Sequence, residues 1–223
     1  LDEVVLLSPA YIPEFRKLIG KKDARRLSAI PNAIQPVHSV IPIEQKDKEI
    51  IFVGRLATAQ PLPRLLKIWE MTQDKLPDWK LTLVGDGPRF DTCRQIIREK
   101  ELKRVRLTGH QMSIPYIDRA RIICLTSVIE GLPTVFTEAM SLGVIPIGFD
   151  SFNAIYDMID DGVDGFIIPD NNYEQYAATI LRLAGDDTLR CRIAHKAQTR
   201  KSRYDIEHVG PLWMDTFRRH GLI

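Results

Sequence analysis

Short apolar runs alternate with amphipathic stretches along most of the chain. "EIIFVG" (Glu49 to Gly54), "WKLTLVG" (Trp79 to Gly85), "RVRLTG" (Arg104 to Gly109), "RIICLT" (Arg121 to Thr126), "GVIPIGF" (Gly143 to Phe149) and "GFIIP" (Gly165 to Pro169) each read as a strand. Between them, "LPRLLKIWEMT" puts Leu62, Leu65, Leu66 and Trp69 on one helical face. "RFDTCRQIIREK" does the same with Phe90, Cys93, Ile96 and Ile97. Helices are also expected at "SIPYIDRA" (from Ser113), "PTVFTEAMSL" (from Pro133) and "NAIYDMIDDG" (from Asn153), the last capped by Asn153 and ended by Gly162. Brief, continuously apolar strands separated by helices imply parallel crossovers. The expected fold is therefore α/β, a doubly wound parallel sheet of the Rossmann-like type. After Pro169 the pattern is helical throughout: Tyr173 to Leu183, Thr188 to Arg203, and Ile206 to Arg219. Ahead of the main pattern, "VVLLS", "PAYIPEFRKLIG" and "LSAIPNAI" read as strand, helix and strand, followed by the proline-rich linker "IPNAIQPVHSVIPIEQKDK".

Composition narrows the class. At 44% hydrophobic and 27% charged residues the chain is globular, not disordered. With 31 basic and 29 acidic residues it offers no general case for nucleic acid. The basic clusters at Arg16 to Arg26 and Lys196 to Arg203 read as solvated faces. Cys93, Cys124 and Cys191 are odd in number and far apart, which fits a reducing cytoplasm; Cys124 reads as a core residue. No run is long and apolar enough to span a membrane, and none reads as a signal peptide. The apolar opening without an initiator Met points to a piece of a longer protein.

In an open parallel sheet, ligands bind beyond the carboxyl ends of the strands. Those ends are "GRLATAQP", "GDGP", "TGHQ" and "TSVIEGLP", three of them with glycines that let a ligand approach the backbone. In "SVIEGLPTVFTEAM", Pro133 fits the first helical turn. The free N–H groups from Leu132 to Val135 then face the edge and suit a phosphate. Glu138, one turn in, leans back toward the helix start and can accept hydrogen bonds from a ribose diol. Glu130 lies on the other side of the Gly-Leu-Pro elbow. Two anions flanking a phosphate site need hydroxyls to engage, which describes a nucleotide sugar. Arg55, directly after the first strand of the main pattern, can grip a diphosphate. "VGDGPRF" lacks the third glycine of a dinucleotide fingerprint, having Phe90 there. Asp86 reads as a turn residue, and His110 as either a loop histidine or a base or sugar contact. His38, His195, His208 and His220 have no partners at metal-ligand spacing, so no metal and no cofactor are expected.

"FVGRL", "LVGDGP", "VRLTGH", "EGLPTVFTEAM", "GVIPIGF" and "DGVDGFIIP" stand in the order and spacing of one family. Together they resemble the carboxyl-terminal donor domain of retaining glycosyltransferases of the GT-B fold, family 4; "IPNAI" is similar to that family's interdomain link. The resemblance implies a remnant of the acceptor domain over 1–35, a nucleotide-sugar-binding domain over 36–205 and a crossover helix over 206–223. It implies that Glu138 holds the ribose and that Glu130, near the donor sugar, and Arg55, on the diphosphate, act catalytically. The donor would also meet Gly54, Gly85, His110 and the Gly131, Leu132, Pro133 and Thr134 backbone. It further implies bacterial polysaccharide assembly, a glycan or lipid-linked acceptor delivered through a missing amino-terminal domain, and peripheral contact with the inner membrane face. One departure stands out: where the family carries a second diphosphate cation, a lysine, this chain has Gln60, so either Arg64 reaches in or donor binding is weakened. Two other readings stay open, a non-catalytic nucleotide-sugar-binding module and a nucleotide-sugar epimerase of the same fold.

Overall fold

The computed structural model describes residues 2–36, 40–56 and 61–223. A six-stranded sheet carries the fold. Its strands are β3 (Glu49–Val53), β4 (Lys80–Val84), β5 (Val105–Leu107), β6 (Ile122–Leu125), β7 (Ile145–Asp150) and β8 (Phe166–Pro169). They run in the order β5-β4-β3-β6-β7-β8, every neighbouring pair parallel. This is the expected doubly wound sheet, with a strand at each of the six runs named above. Helices α2 (Pro61–Thr72), α3 (Phe90–Glu99), α4 (Ile114–Ile117), α5 (Thr134–Ser141) and α6 (Ile155–Met158) make the crossovers. The chain closes with α7 (Tyr173–Gly185), α8 (Asp187–Arg200) and α9 (Ile206–Arg219).

The core explains why the pattern was so regular. Leu62, Leu65, Leu66 and Trp69 on α2 are buried against the sheet, as are Phe136 on α5 and Phe149 on β7. The Trp69 indole N–H reaches the Lys103 carbonyl at 2.8 Å, so a large ring is buried with its polar atom satisfied. Cys124 is fully buried, and desolvation pushes its thiol up to about 12, which leaves it inert.

Two local expectations fail. Helix α6 covers only Ile155–Met158 and Asn153 does not cap it; Gly162 instead supplies a φ of 71° in the turn leading to β8. The basic stretch after Lys196 is not wholly solvated. Arg200 is buried, its guanidinium 2.7 Å from Asp160 and 2.9 Å from Asp164, and so ties α8 to the turn before β8. An isolated positive charge could not sit there; two carboxylates neutralise it.

The first elements form a separate parallel pair, β1 (Val4–Leu6) with β2 (Leu27–Ala29), joined through α1 (Ile12–Asp23). Glu3 meets both Arg219 at 3.1 Å and His220 at 2.6 Å, so α9 packs back against this pair. No described helix is long and apolar enough to cross a membrane.

Candidate functional site: a cleft at the strand-order switch

From β3 the chain builds outward through β4 to β5, then returns to the other side of β3 with β6 and proceeds to β8. The crossover helices leaving β3 and β6 therefore diverge to opposite faces, and a crevice opens between the carboxyl ends of these two strands. A cavity of about 680 Å³ lies there, lined by the end of β3 through Arg55, by Leu125 at the end of β6 and Ser127 to Glu130 after it, and by Leu132 to Val135. A second cavity of about 510 Å³ adjoins it, sharing Val53, Gly54 and Arg55 and extending over Gly85, Asp86, His110, Gln111 and Ser113. Arg55 thus stands at the junction of one elongated cleft.

Two glycines, Gly85 and Gly87, shape the loop that presents Arg55. A Cβ on Gly85 would lie 1.9 Å from the Gly54 carbonyl oxygen, and one on Gly87 would lie 2.7 Å from that of Leu56. The glycines of "GDG" are thus required by the neighbouring loop, which packs directly on them, and not in the first instance by a ligand. The two loops are stitched by Gly54 N–H to Val84 (3.0 Å), Leu56 N–H to Asp86 (3.0 Å) and Arg89 N–H to Leu56 (2.9 Å). Asp86 is the turn residue expected, its carboxylate accepting from Gly87 N–H at 2.7 Å. Gly85 N–H reaches the Gly109 carbonyl at 2.9 Å, which brings His110 to the far end of the cleft. The Arg55 side chain is exposed and makes no ion pair with any described residue.

Helix α5 points its amino end into the cleft. Pro133 is the residue before the helix, in extended conformation (φ −66°, ψ 104°), instead of the first helical residue expected. As a proline, the N-cap residue supplies no side-chain cap to this end. Phe136 N–H turns back to Pro133, while Thr134 and Val135 line the cavity. The first N–H groups of any helix lack intrahelical acceptors, and here they carry the positive end of the dipole toward the Arg55 side. Gly131 is exposed in the loop before the helix, with Leu7 alongside it.

Glu138 is half-buried one turn into α5, and its Oε2 is buried with no hydrogen-bond partner among the described residues. Burial raises its carboxyl above the usual range, offset in part by the Ser113 hydroxyl from the second cavity. A carboxylate kept desolvated and half-satisfied destabilises the empty protein, and donors on a ligand would complete it. Glu130 lines the first cavity together with Arg55. Among the described residues, no three His, Cys, Asp or Glu side chains gather as a metal-binding group.

Arg64 does not reach into the cleft. Its guanidinium is buried on the Asp170 carboxylate, on Asn171 Oδ1 (3.1 Å) and on the Thr126 carbonyl (3.1 Å), with its carbon 4.3 Å from the Phe149 ring centre. Gln60 and His38 lie outside the described residues. Asn32, Gln111 and Ser113 also line the cleft, and the sequence reading had not singled them out for the site. Asn32 belongs to the linker stretch "IPNAI", Gln111 and Ser113 are polar loop residues, and only the folded edge brings the three together.

The fold defines the class. Comparison with solved structures gives TM-scores of 0.87 for an S. aureus TarM variant in complex with fondaparinux, α-GlcNAc-glycerol and UDP, and 0.84 for Anabaena HepE in complex with UDP and glucose. The identities are 23% and 21%; the alignments cover 97% and 98% of this chain, and 44% and 63% of those chains. The sheet and its helices are the Rossmann-like carboxyl-terminal half of a GT-B fold. Residues 34–200 match the family of glycosyl transferases group 1, and the chain belongs to that family. An uncharacterized glycosyltransferase of Haemophilus influenzae is 27% identical over 187 residues, covering 83% of this chain and 52% of that protein. A Campylobacter jejuni enzyme is 24% identical over 172 residues, 76% of this chain and 48% of that one. Its name describes an α-1,4-N-acetyl-D-galactosaminyltransferase acting on a GalNAc-containing, diphosphate-linked undecaprenol. The chain spans about half the length of these two curated relatives.

Proposed function

We propose that the chain is the donor-binding part of a glycosyltransferase, holding a nucleoside-diphosphate sugar along the cleft for retaining transfer to a glycan or lipid-linked acceptor. The carrying observation is Glu138: a half-buried carboxylate one turn behind the start of α5, bonded to the Ser113 hydroxyl of the second cavity and with Oε2 meeting no donor among the described residues, while Thr134 and Val135 of the same helix line the first cavity with Arg55. The base lies toward His110, and the ribose diol donates to Glu138. The diphosphate lies between Arg55 and the start of α5, and the sugar is beside Glu130. Departure of the diphosphate builds negative charge on its oxygens, and the guanidinium and the α5 N–H groups are set in advance to stabilise it. That arrangement asks nothing of a metal or cofactor among these residues. The acceptor comes with the amino-terminal domain, of which 1–35 is the end, and turnover by this part alone is not expected because acceptor positioning is absent. Family 4 membership, and a cytoplasmic placement peripheral to the membrane, extend the same reading.

A non-catalytic nucleotide-sugar-binding module is the second reading. Arg64 favours it, because its engagement by Asp170 leaves Arg55 as the single lysine or arginine among the described residues lining the cleft. Calorimetric titration of the chain with UDP, GDP and ADP, repeated with Glu138→Ala, tests the donor site. Binding of one diphosphate, weakened by the substitution, is the expected result; no binding of any of the three refutes it.

A further inference from the structure

Glu130 sits in the stretch Ser127 to Pro133, which has no regular structure, and its neighbour Ile129 is 86% exposed. Burial of Ser127, Leu132 and Pro133 anchors the two ends of the stretch and leaves its middle, 128–131, to be fixed by other contacts. Among the described residues two side-chain hydrogen bonds hold its backbone. The Ser151 hydroxyl donates to the Ser127 carbonyl at 2.5 Å, at the β6 end. The Tyr11 hydroxyl donates to the carbonyl of Glu130 itself.

Tyr11 does not belong to the sheet that forms the cleft. It follows β1, in the turn entering α1. That turn is firmly docked on α6. Ser8, 1% exposed, donates its hydroxyl to Asp157, and Ala10 N–H reaches the same carboxylate oxygen at 3.1 Å. Leu7 lies where a Cβ on Gly131 would come within 3.5 Å of it, so the turn also backs the residue after Glu130. The Tyr11 ring packs on the main core, and its hydroxyl is the atom that touches the loop.

We propose that Tyr11 is a positioning residue for Glu130: its hydroxyl ties the Glu130 carbonyl to the docked β1–α1 turn and so sets the Glu130 side chain toward the donor sugar. The inference rests on the donor-site reading above. It assigns the amino-terminal unit a part in the donor site as well as in holding an acceptor. A tyrosine retained only for packing would be replaced by phenylalanine without consequence at the cleft.

Tyr11→Phe removes the hydroxyl and keeps the ring. Two affinities are compared in the unsubstituted chain and the variant: the nucleoside diphosphate that binds best, and the corresponding nucleotide sugar. The diphosphate should bind within twofold of the unsubstituted chain, because Arg55, Glu138 and the α5 start are untouched. The nucleotide sugar should weaken by about 3–10-fold, the worth of one hydrogen bond. Amide exchange at 128–131 should rise while that of β3 and β6 stays unchanged, which separates loop release from general loosening. Ser8→Ala, which loosens the docking of the same turn, should move the ratio in the same direction by less. An unchanged ratio in Tyr11→Phe, with both ligands bound by the unsubstituted chain, overturns this inference alone. Failure of the unsubstituted chain to bind either ligand overturns the donor site and this inference with it.

Discussion

Replacing Glu138 by glutamine should stabilise the empty protein and weaken its ligand binding, two effects of opposite sign from one atom change. The carboxylate is half-buried, its Oε2 meets no donor among the described residues, and burial raises its pKa. An amide of the same shape carries no charge to desolvate, so the variant should gain about 1 kcal/mol. For a chain of this size that is a rise in Tm of roughly 2–4 °C. The pH dependence has a definite sign. A carboxyl whose folded pKa lies above its unfolded value makes the folded state bind more protons between the two, so stability falls as pH rises through the folded pKa. The advantage of Glu138→Gln is therefore full above the raised folded value and vanishes below the ordinary carboxylate range. With ligand the order reverses: a diol gives its hydrogen bonds to a carboxylate more strongly than to an amide. The loss of one charge-assisted bond costs about 1.5–3 kcal/mol, roughly 10–100-fold in affinity. Thermal melts at several pH values, with and without saturating nucleoside diphosphate, read both effects. A variant that melts lower than the parent at neutral pH, or binds the diphosphate equally well, refutes the reasoning.

Gly85→Ala would place a methyl 1.9 Å from the Gly54 oxygen at a φ of 146°, and should cost about 3 kcal/mol or more by melting, with loss of the Arg55 loop geometry. Gly109→Ala, also at positive φ (73°) but with nothing within 4 Å, should cost only about 1 kcal/mol. Arg55→Ala should leave Tm unchanged, because the side chain is exposed and forms no ion pair with a described residue, yet weaken a diphosphate about 10–100-fold by titration. Arg64→Ala should do the converse. Losing its bonds to Thr126 and Asn171 and its packing on Phe149 should lower stability by about 2 kcal/mol, with Asp170 being exposed enough to limit the cost.

Much of this was legible in the sequence because the sheet is buried on both faces. Most strands are then nearly continuous apolar runs, the edge strand β5 with its exposed Arg106 being the exception, and the longer helices show an inner stripe, as at Leu62, Leu65, Leu66 and Trp69. The candidate site was legible for the same reason: it sits at strand ends, and strand ends are easy to find. Contacts across the chain were not legible. Nothing local says that Gly85 is required by the Gly54 carbonyl, that Arg64 turns to Asp170, or that Tyr11 reaches Glu130 more than a hundred residues away. The order of strands, which locates the crevice between β3 and β6, is likewise set by packing of whole elements and not by any motif. Short irregular helices such as α6 were misjudged at both ends, since one turn leaves no periodicity to read.

The central claim, that a nucleoside diphosphate occupies the cleft at the strand-order switch, is tested most directly by amide exchange with and without the diphosphate. Protection confined to residues 54–56, 109–113 and 132–138 is the predicted result. The acidic hollow lined by Asp150, Tyr156 and Asp161, at the carboxyl ends of β7 and β8, should be unchanged. Protection at that hollow, or none at the cleft under saturating ligand, would contradict the account.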